Sequence, residues 1–171
     1  MLNILKNDII FRLGGYMAGL PMTDKITQVA IIVKDIEKTK KKWASFFGVP
    51  VPPTVQAGDY KITQTKYKGK EAPKAMCQMA FFDAGPGMQL ELIQPNGEPS
   101  TWQDFLDQKG EGIHHIAFKI KDTKKYIEAY ENEGIKCIQQ GVYGDGGGEY
   151  AYFDTTEDFK CIIETLESYA K

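Results

Sequence analysis

The chain has 171 residues, 42% of them hydrophobic and 26% charged, with a formal net charge of −2. That length and composition suit a globular protein with one sizeable core, and so small a charge provides no field that would gather nucleic acid or an anionic membrane surface. Cys77, Cys137 and Cys161 form no Cys-x-x-Cys pair, so no disulfide framework is expected and a cytoplasmic location is the default.

Residues 1–25 read as an N-terminal arm. Asp8 and Arg12 break its apolar stretch, and Gly14, Gly15, Gly19 and Pro21 follow, which excludes a membrane span and disfavours a secretory signal. Ile26 to Val33 is aliphatic and β-branched and predicts a buried strand. Asp35 is an N-cap for a helix with an apolar stripe of Trp43, Phe46 and Phe47, closed by Gly48 and stopped by Pro50, Pro52 and Pro53. The lysines at 38, 40, 41 and 42 read as its solvated face. Strands are predicted near Tyr60 to Tyr67, Met76 to Asp83 and Met88 to Ile93, with Gly85-Pro-Gly87 turning between the last two. A short helix at Thr101 to Gln108 lies in the connection Pro95 to Gly112. A strand at Ile113 to Ile120 then leads to a helix capped by Asp122 and ended by Gly134. Strands near Lys136 to Gln140, Glu149 to Asp154 and Lys160 to Leu166 complete the chain.

The two halves say the same thing. Gln28-Val-Ala-Ile-Ile-Val-Lys-Asp35 aligns with His115-Ile-Ala-Phe-Lys-Ile-Lys-Asp122, and Gln89-Leu-Glu91-Leu-Ile93 with Ile162-Ile-Glu164-Thr-Leu166. The expected fold is α+β: two tandem βαβββ modules, repeats 26–95 and 113–167 of a domain spanning 26–167, forming a curved mixed sheet around a metal-containing cup. A solenoid would need at least three repeats. The helices cover the outside, and the concave face is left for a small molecule.

Strand alternation places Gln28 and Ala30 on one face and His115 and Ala117 on its equivalent, with His114 turned to the opposite side. Taken singly, a Glu in a strand is a solvated side chain and a His in an apolar run a hydrogen-bonded core residue. Here Gln28 and His115 occupy equivalent positions, as do Glu91 and Glu164, and independent accidents would not respect that symmetry. Carboxylates flanked by aliphatic residues are costly to bury unless paired, protonated or bound to a cation, and one metal ion would offset the cost for both. Ala30 and Ala117 leave room for a substrate. His114 reads as structural and Trp43 and Trp102 as packing residues. Gly144-Asp-Gly-Gly-Gly-Glu149 lacks the Lys-Ser/Thr ending of a phosphate loop and reads as a flexible connection, or as a lid at the mouth of the cup.

From Gln89-Leu-Glu-Leu-Ile-Gln-Pro95 through Phe105, Gly110 and Gly112-Ile-His-His-Ile-Ala-Phe118 to Asp122 the chain resembles the vicinal oxygen chelate superfamily, the glyoxalase/bleomycin resistance/dioxygenase group. It is most similar to the methylmalonyl-CoA epimerase branch. The resemblance covers Ile26 to about Glu167 and implies metal ligands at Gln28, Glu91, His115 and Glu164. Most epimerase-like members have His where this chain has Gln28, and the Gln-Glu-His-Glu set resembles zinc glyoxalases. The glutathione-contacting pattern of glyoxalase I departs at Ile32 and Pro95, and the extra acid of the epimerases is missing from Lys74 to Phe82, where Gln78 stands among apolar residues.

A donor set of one imidazole, two carboxylates and an amide oxygen suits Zn²⁺, Co²⁺, Ni²⁺ or Mn²⁺. The resemblance thus implies a metal-dependent isomerase or epimerase that stabilises an enolate of an acyl-CoA thioester, with Glu164 or Glu91 as the base. A glyoxalase I-like lactoylglutathione lyase is the alternative enzyme, and a non-catalytic drug or metabolite binding protein the alternative class. The expected partner is a small-molecule substrate, with no nucleic acid or membrane involved, and a homodimer is expected.

Overall fold

The computed structural model describes residues 25–169, so the N-terminal arm expected at 1–25 lies, but for Lys25, outside the described residues. The first half contains strand β1 (Ile26–Ile32), helix α1 (Ile36–Phe47), strand β2 (Val55–Gln56), a helical turn α2 (Tyr60–Thr63), and strands β3 (Lys66–Tyr67), β4 (Lys70–Glu71), β5 (Cys77–Asp83) and β6 (Gln89–Pro95). Helix α3 (Thr101–Lys109) links it to strand β7 (Gly112–Lys119), helix α4 (Thr123–Asn132), strands β8 (Cys137–Val142) and β9 (Gly148–Phe153), a turn α5 (Thr156–Phe159) and strand β10 (Ile162–Ser168).

All ten strands form one sheet in the order β2-β5-β6-β1-β7-β10-β9-β8-β3-β4. β1 and β7 pair antiparallel at the centre. Each is flanked by the parallel last strand of its own half, β1 by β6 and β7 by β10, and the antiparallel β5 and β9 come next. The repeat in the sequence is therefore a pseudo-twofold in the sheet, as the expected α+β fold of two βαβββ modules requires.

Helices α1 and α4 cover the outer face of the sheet. Val33, Ala80, Phe82, Leu90 and Leu92 pack with Trp43 and Phe47 of α1, and Ala151 and Phe153 pack with Tyr126 and Tyr130 of α4. Phe46, expected in the α1 stripe, is 79% exposed. At roughly 100° per residue it projects beyond Trp43 on the side away from Phe47 and the buried Ile36 and Ala44, and its ring meets the other two only from outside. Lys40 departs the other way. It is buried, where its ammonium is held by Thr54 and Glu37, while the other three lysines of the run are exposed.

The helix ends follow the capping residues. Asp35 accepts from Lys38 N, and Gly48 closes α1 in the left-handed region at φ 69°. Asp122 accepts from Lys125 N at the start of α4.

Tyr60 to Tyr67 is not the strand its composition suggests. Asp59 accepts a hydrogen bond from Lys61 N and starts a helical turn, and the short β3–β4 hairpin that follows pairs with β8 of the other half. The chain thus runs from one sheet edge at Gln56 to the other side at Lys66. Eight strand spacings separate β2 from β3, about 38 Å in a flat sheet. Ten residues that include a helical turn reach only about 26 Å. The sheet has to curl, and its concave face holds Ala30, Ile32, Cys77, Ile93, Trp102, Tyr152 and Ile162.

Candidate metal centre in the cup

Glu91, His115 and Glu164 meet at the centre of the concave face, and the register of the sheet explains how. Ala30 lies opposite both His115 on β7 and Glu91 on β6. Ala117 lies opposite both Gln28 on β1 and Glu164 on β10. In each row two long side chains flank an alanine, with their Cα atoms about 10 Å apart, and the methyl group leaves the space between them open. His115 Nε2 is 3.0 Å from Glu164 Oε2 and 3.5 Å from Glu91 Oε2. His115 is 0%, Glu164 3% and Glu91 5% exposed.

Gln28 is buried on the same face but is not drawn into this contact. Its amide turns along the sheet, and Nε2 donates to Gln89 Oε1 at 3.5 Å. Of the four residues singled out in the sequence, Glu91 and Glu164 both reach His115, while Gln28, in the same row as Glu164, turns away to Gln89.

The electrostatics are those of an imidazolium between two carboxylates. Burial works against a charge on His115, but Glu164 and Glu91 outweigh it and push the imidazole up to about 9. Burial raises Glu91 above the ordinary carboxylate value. His115 pulls it back in part, and the charge of Glu164 adds to the rise. Despite the short separation, His115 Nε2 and Glu164 Oε2 make no hydrogen bond of acceptable geometry and have no other partner. A buried donor and a buried acceptor left orphaned side by side are costly.

Among the described residues no group of three or more His, Cys, Asp or Glu side chains is already spaced as a metal cage. The trio is closed onto itself instead. Donors about 2.0–2.1 Å from a tetrahedral ion sit about 3.3–3.5 Å from one another, so the His115–Glu91 separation already suits such an ion. At 3.0 Å from His115, Glu164 would have to draw back by a few tenths of an ångström. The donor chemistry fits a divalent ion, and the orphaned Nε2 and Oε2 are the atoms it would engage.

His114 was expected on the opposite side of β7. It is not there. Ala30 pairs with His115 but Ile31 with Ile113, so His114 is the extra residue of a β-bulge. Its Nδ1 lies 2.8 Å from His115 Nδ1. Alternation assumes an unbroken strand, and only the pairing register reveals the bulge. The His-His doublet was the one signal in the sequence. Tyr152 was also missed: its ring is 4.9 Å from that of His115, and its hydroxyl accepts from Trp102 Nε1. Gln78 shares the outer face with its partner Gln94, so β5 turns Cys77, Met79 and Phe81 to the cup, with Asp83 on the same face at its exposed end.

Known proteins of this kind share the architecture. The chain is 25% identical over 146 residues to an ethylmalonyl-CoA/methylmalonyl-CoA epimerase of Cereibacter sphaeroides, over 84% of this chain and 97% of that one. To the protein YqjC of Bacillus subtilis (strain 168) it is 32% identical over 90 residues, 52% of this chain and 64% of that protein. The methylmalonyl-CoA epimerase of Mycobacterium tuberculosis superposes with a TM-score of 0.60 at 17% identity, over 91% of this chain and 95% of that one. The Streptomyces coelicolor methylmalonyl-CoA epimerase in complex with 2-nitronate-propionyl-CoA gives 0.59 at 20%, over 85% and 97%. At such identities superposition speaks for the fold alone. The sequence profile of the Glyoxalase/Bleomycin resistance protein/Dioxygenase superfamily matches residues 27–153, which include both central strands and the bulged His pair, and the chain belongs to that superfamily.

Proposed function

We propose that the chain is a divalent-metal-dependent enzyme that moves a proton at the carbon next to a thioester carbonyl, an epimerase-like reaction on an acyl-CoA. The observation that carries this reading is the meeting of His115, Glu91 and Glu164 in a buried cup with Nε2 and Oε2 left unsatisfied. The Cereibacter epimerase, similar over 84% of this chain, supports the substrate class.

His115, Glu91 and Glu164 would hold the ion, with the amide oxygen of Gln28 turned from Gln89 to join them. When bound, the ion would supply positive charge that favours a developing enolate oxygen. The protein does the rest. The aromatic lining of Trp102, Tyr150 and Tyr152 excludes water from the reacting carbon. The two carboxylates come from opposite halves of the pseudo-twofold, so they approach a bound substrate from opposite sides. One takes the proton from the α-carbon, and a proton returned by the other inverts the centre. The acid of β5, Asp83, lies at its exposed end and accepts from Gly85 N, so Glu91 and Glu164 are the buried carboxylates that the four central strands and β5 place in the cup.

Wild-type protein loaded with a divalent ion should exchange solvent deuterium into methylmalonyl-CoA, and Glu91→Gln and Glu164→Gln should each suppress the exchange by 100-fold or more, about the range of general acid–base catalysis. Full exchange in both variants would remove the carboxylates from the mechanism.

Gln28 favours a second reading. An amide in place of imidazole gives the Gln-Glu-His-Glu set that resembles zinc glyoxalases. Isomerisation of a glutathione hemithioacetal uses the same proton transfer, and production of lactoylglutathione by the loaded protein would select it.

A further inference from the structure

The bulge in β7 gives His114 a place in the cup that the proposed reaction does not use. Its side chain is buried. Its ring is held edge-to-face against Phe105 at 82° and Tyr152 at 89°, with centroids 5.3 and 5.5 Å away. Both ring nitrogens have partners. Nε2 lies 3.3 Å from the carbonyl oxygen of Thr101, at the start of α3, and Nδ1 lies 2.8 Å from Nδ1 of His115.

Donor and acceptor chemistry then fixes where the protons are. A carbonyl oxygen only accepts, so Nε2 of His114 carries a hydrogen. A neutral imidazole has one N–H, so Nδ1 of His114 is bare and accepts. The nitrogen facing it, His115 Nδ1, must therefore carry a hydrogen. Every other neutral arrangement sets two lone pairs or two N–H groups against each other in a buried space. Phe105 and Tyr152 enclose the His114 ring and its other nitrogen meets a carbonyl, so no carboxylate beside it compensates a charge and it is the neutral partner.

We propose that His114 is a positioning residue: by accepting the Nδ1 proton of His115 it fixes the ring and tautomer of His115 so that Nε2 is the nitrogen turned to Glu91 and Glu164. The relay runs Thr101 carbonyl, His114, His115, and ends at the orphaned Nε2. A metal-binding histidine is commonly oriented through its other nitrogen by a carbonyl or carboxylate; here a second histidine from the same strand does it, made possible by one inserted residue. This inference rests on the metal reading for its purpose, but the proton positions it assigns do not depend on a metal.

The test is a long-range proton–nitrogen correlation spectrum of the histidine rings in metal-free wild-type protein, followed by zinc titrations. The expected spectrum shows His114 protonated at Nε2 and bare at Nδ1, with His115 protonated at Nδ1. A proton on Nδ1 of His114 would overturn the proposal without any substitution. His114→Phe keeps the ring packing and removes both nitrogens, and should weaken zinc binding about 10–100-fold. His114→Gln, which can accept from His115 and donate to Thr101, should restore most of it. Equal zinc affinity in wild type and His114→Phe would also overturn the proposal. Wild-type protein with the expected proton positions and no zinc binding would support the relay and remove the metal reading alone.

Discussion

His115 is the residue on which the cup turns. It holds two buried carboxylates together, so removing it leaves Glu91 and Glu164 facing each other without a cation. His115→Ala should destabilise the metal-free protein by about 3–5 kcal/mol, measured by denaturant unfolding. The same variant should lose the roughly one divalent ion per chain that elemental analysis is expected to find in reloaded wild type. Unchanged stability would mean that the carboxylates are protonated or reached by water. The alanines matter as much, by what they lack. Ala30→Leu sets a branched side chain between His115 and Glu91, where both rows of atoms already meet. About 1–3 kcal/mol of overpacking and loss of the ion are expected, checked by thermal unfolding and metal analysis. Sequence symmetry made Gln28, Glu91, His115 and Glu164 legible, because inward positions in a repeated fold recur at the same place. His114 was illegible because a bulge depends on the partner strand as much as on β7.

The last strand of each half carries a second paired device, three residues after the inward carboxylate. Gln94 accepts from Ile36 N at the start of α1, and Glu167 accepts from Asp122 N and Thr123 N at the start of α4. Odd spacing along a strand puts these side chains on the outer face, where the helices lie. Each strand therefore fixes a cup residue and latches its own helix at once. One latch titrates and the other does not. Some burial works against the charge on Glu167, but the hydrogen bonds from Asp122 and Thr123 hold its carboxyl below the usual value. A carboxylate with a lowered folded value stabilises the protein above its unfolded pKa of about 4.3, and that contribution is lost as the pH falls through the folded value. Glu167→Ala should cost about 0.5–1 kcal/mol at neutral pH and less as the solution is acidified. Gln94→Ala should show a penalty that does not change with pH. Parallel unfolding curves across the acid range would separate the two, and a flat Glu167 profile would show that the charge contributes nothing.

The curl of the sheet is closed by one crossing segment. Between β2 and β3 the chain passes over the cup, and Gly58 meets Gly144 of the glycine-rich loop. A Cβ on Gly58 would lie 2.4 Å from Gly144 Cα, and one on Gly144 would lie 2.7 Å from Gly58 N. No real Cβ makes either contact, so the glycine-rich loop serves here as the near side of a backbone-to-backbone approach. Gly58→Ala and Gly144→Ala should each destabilise by about 1–3 kcal/mol. The double variant should cost less than their sum, because both force the same contact open. Additive penalties in thermal unfolding would mean that the two glycines do not share it. Among the described residues no helix is long and apolar enough to cross a membrane.

The amino-acid sequence alone determined the elements and their repetition. Period-two aliphatic runs, Asp caps and glycine stops are local signals, and they set down β1, α1, β5, β6 and the second half apart from the turn α5 within a few residues. It also determined the candidate site residues, since the inward positions of repeated strands follow from alternation. Only the tertiary structure decided what depends on contact between distant segments. The hairpin of residues 66–71 joins the far edge of the sheet because β8 is there to pair with it. The Tyr-Lys-Ile-Thr stretch at 60–63, which composition alone would extend, turns because the chain must cross the cup. His114 reaches His115 because β1 and β7 slip register by one residue, a choice that neither strand encodes by itself.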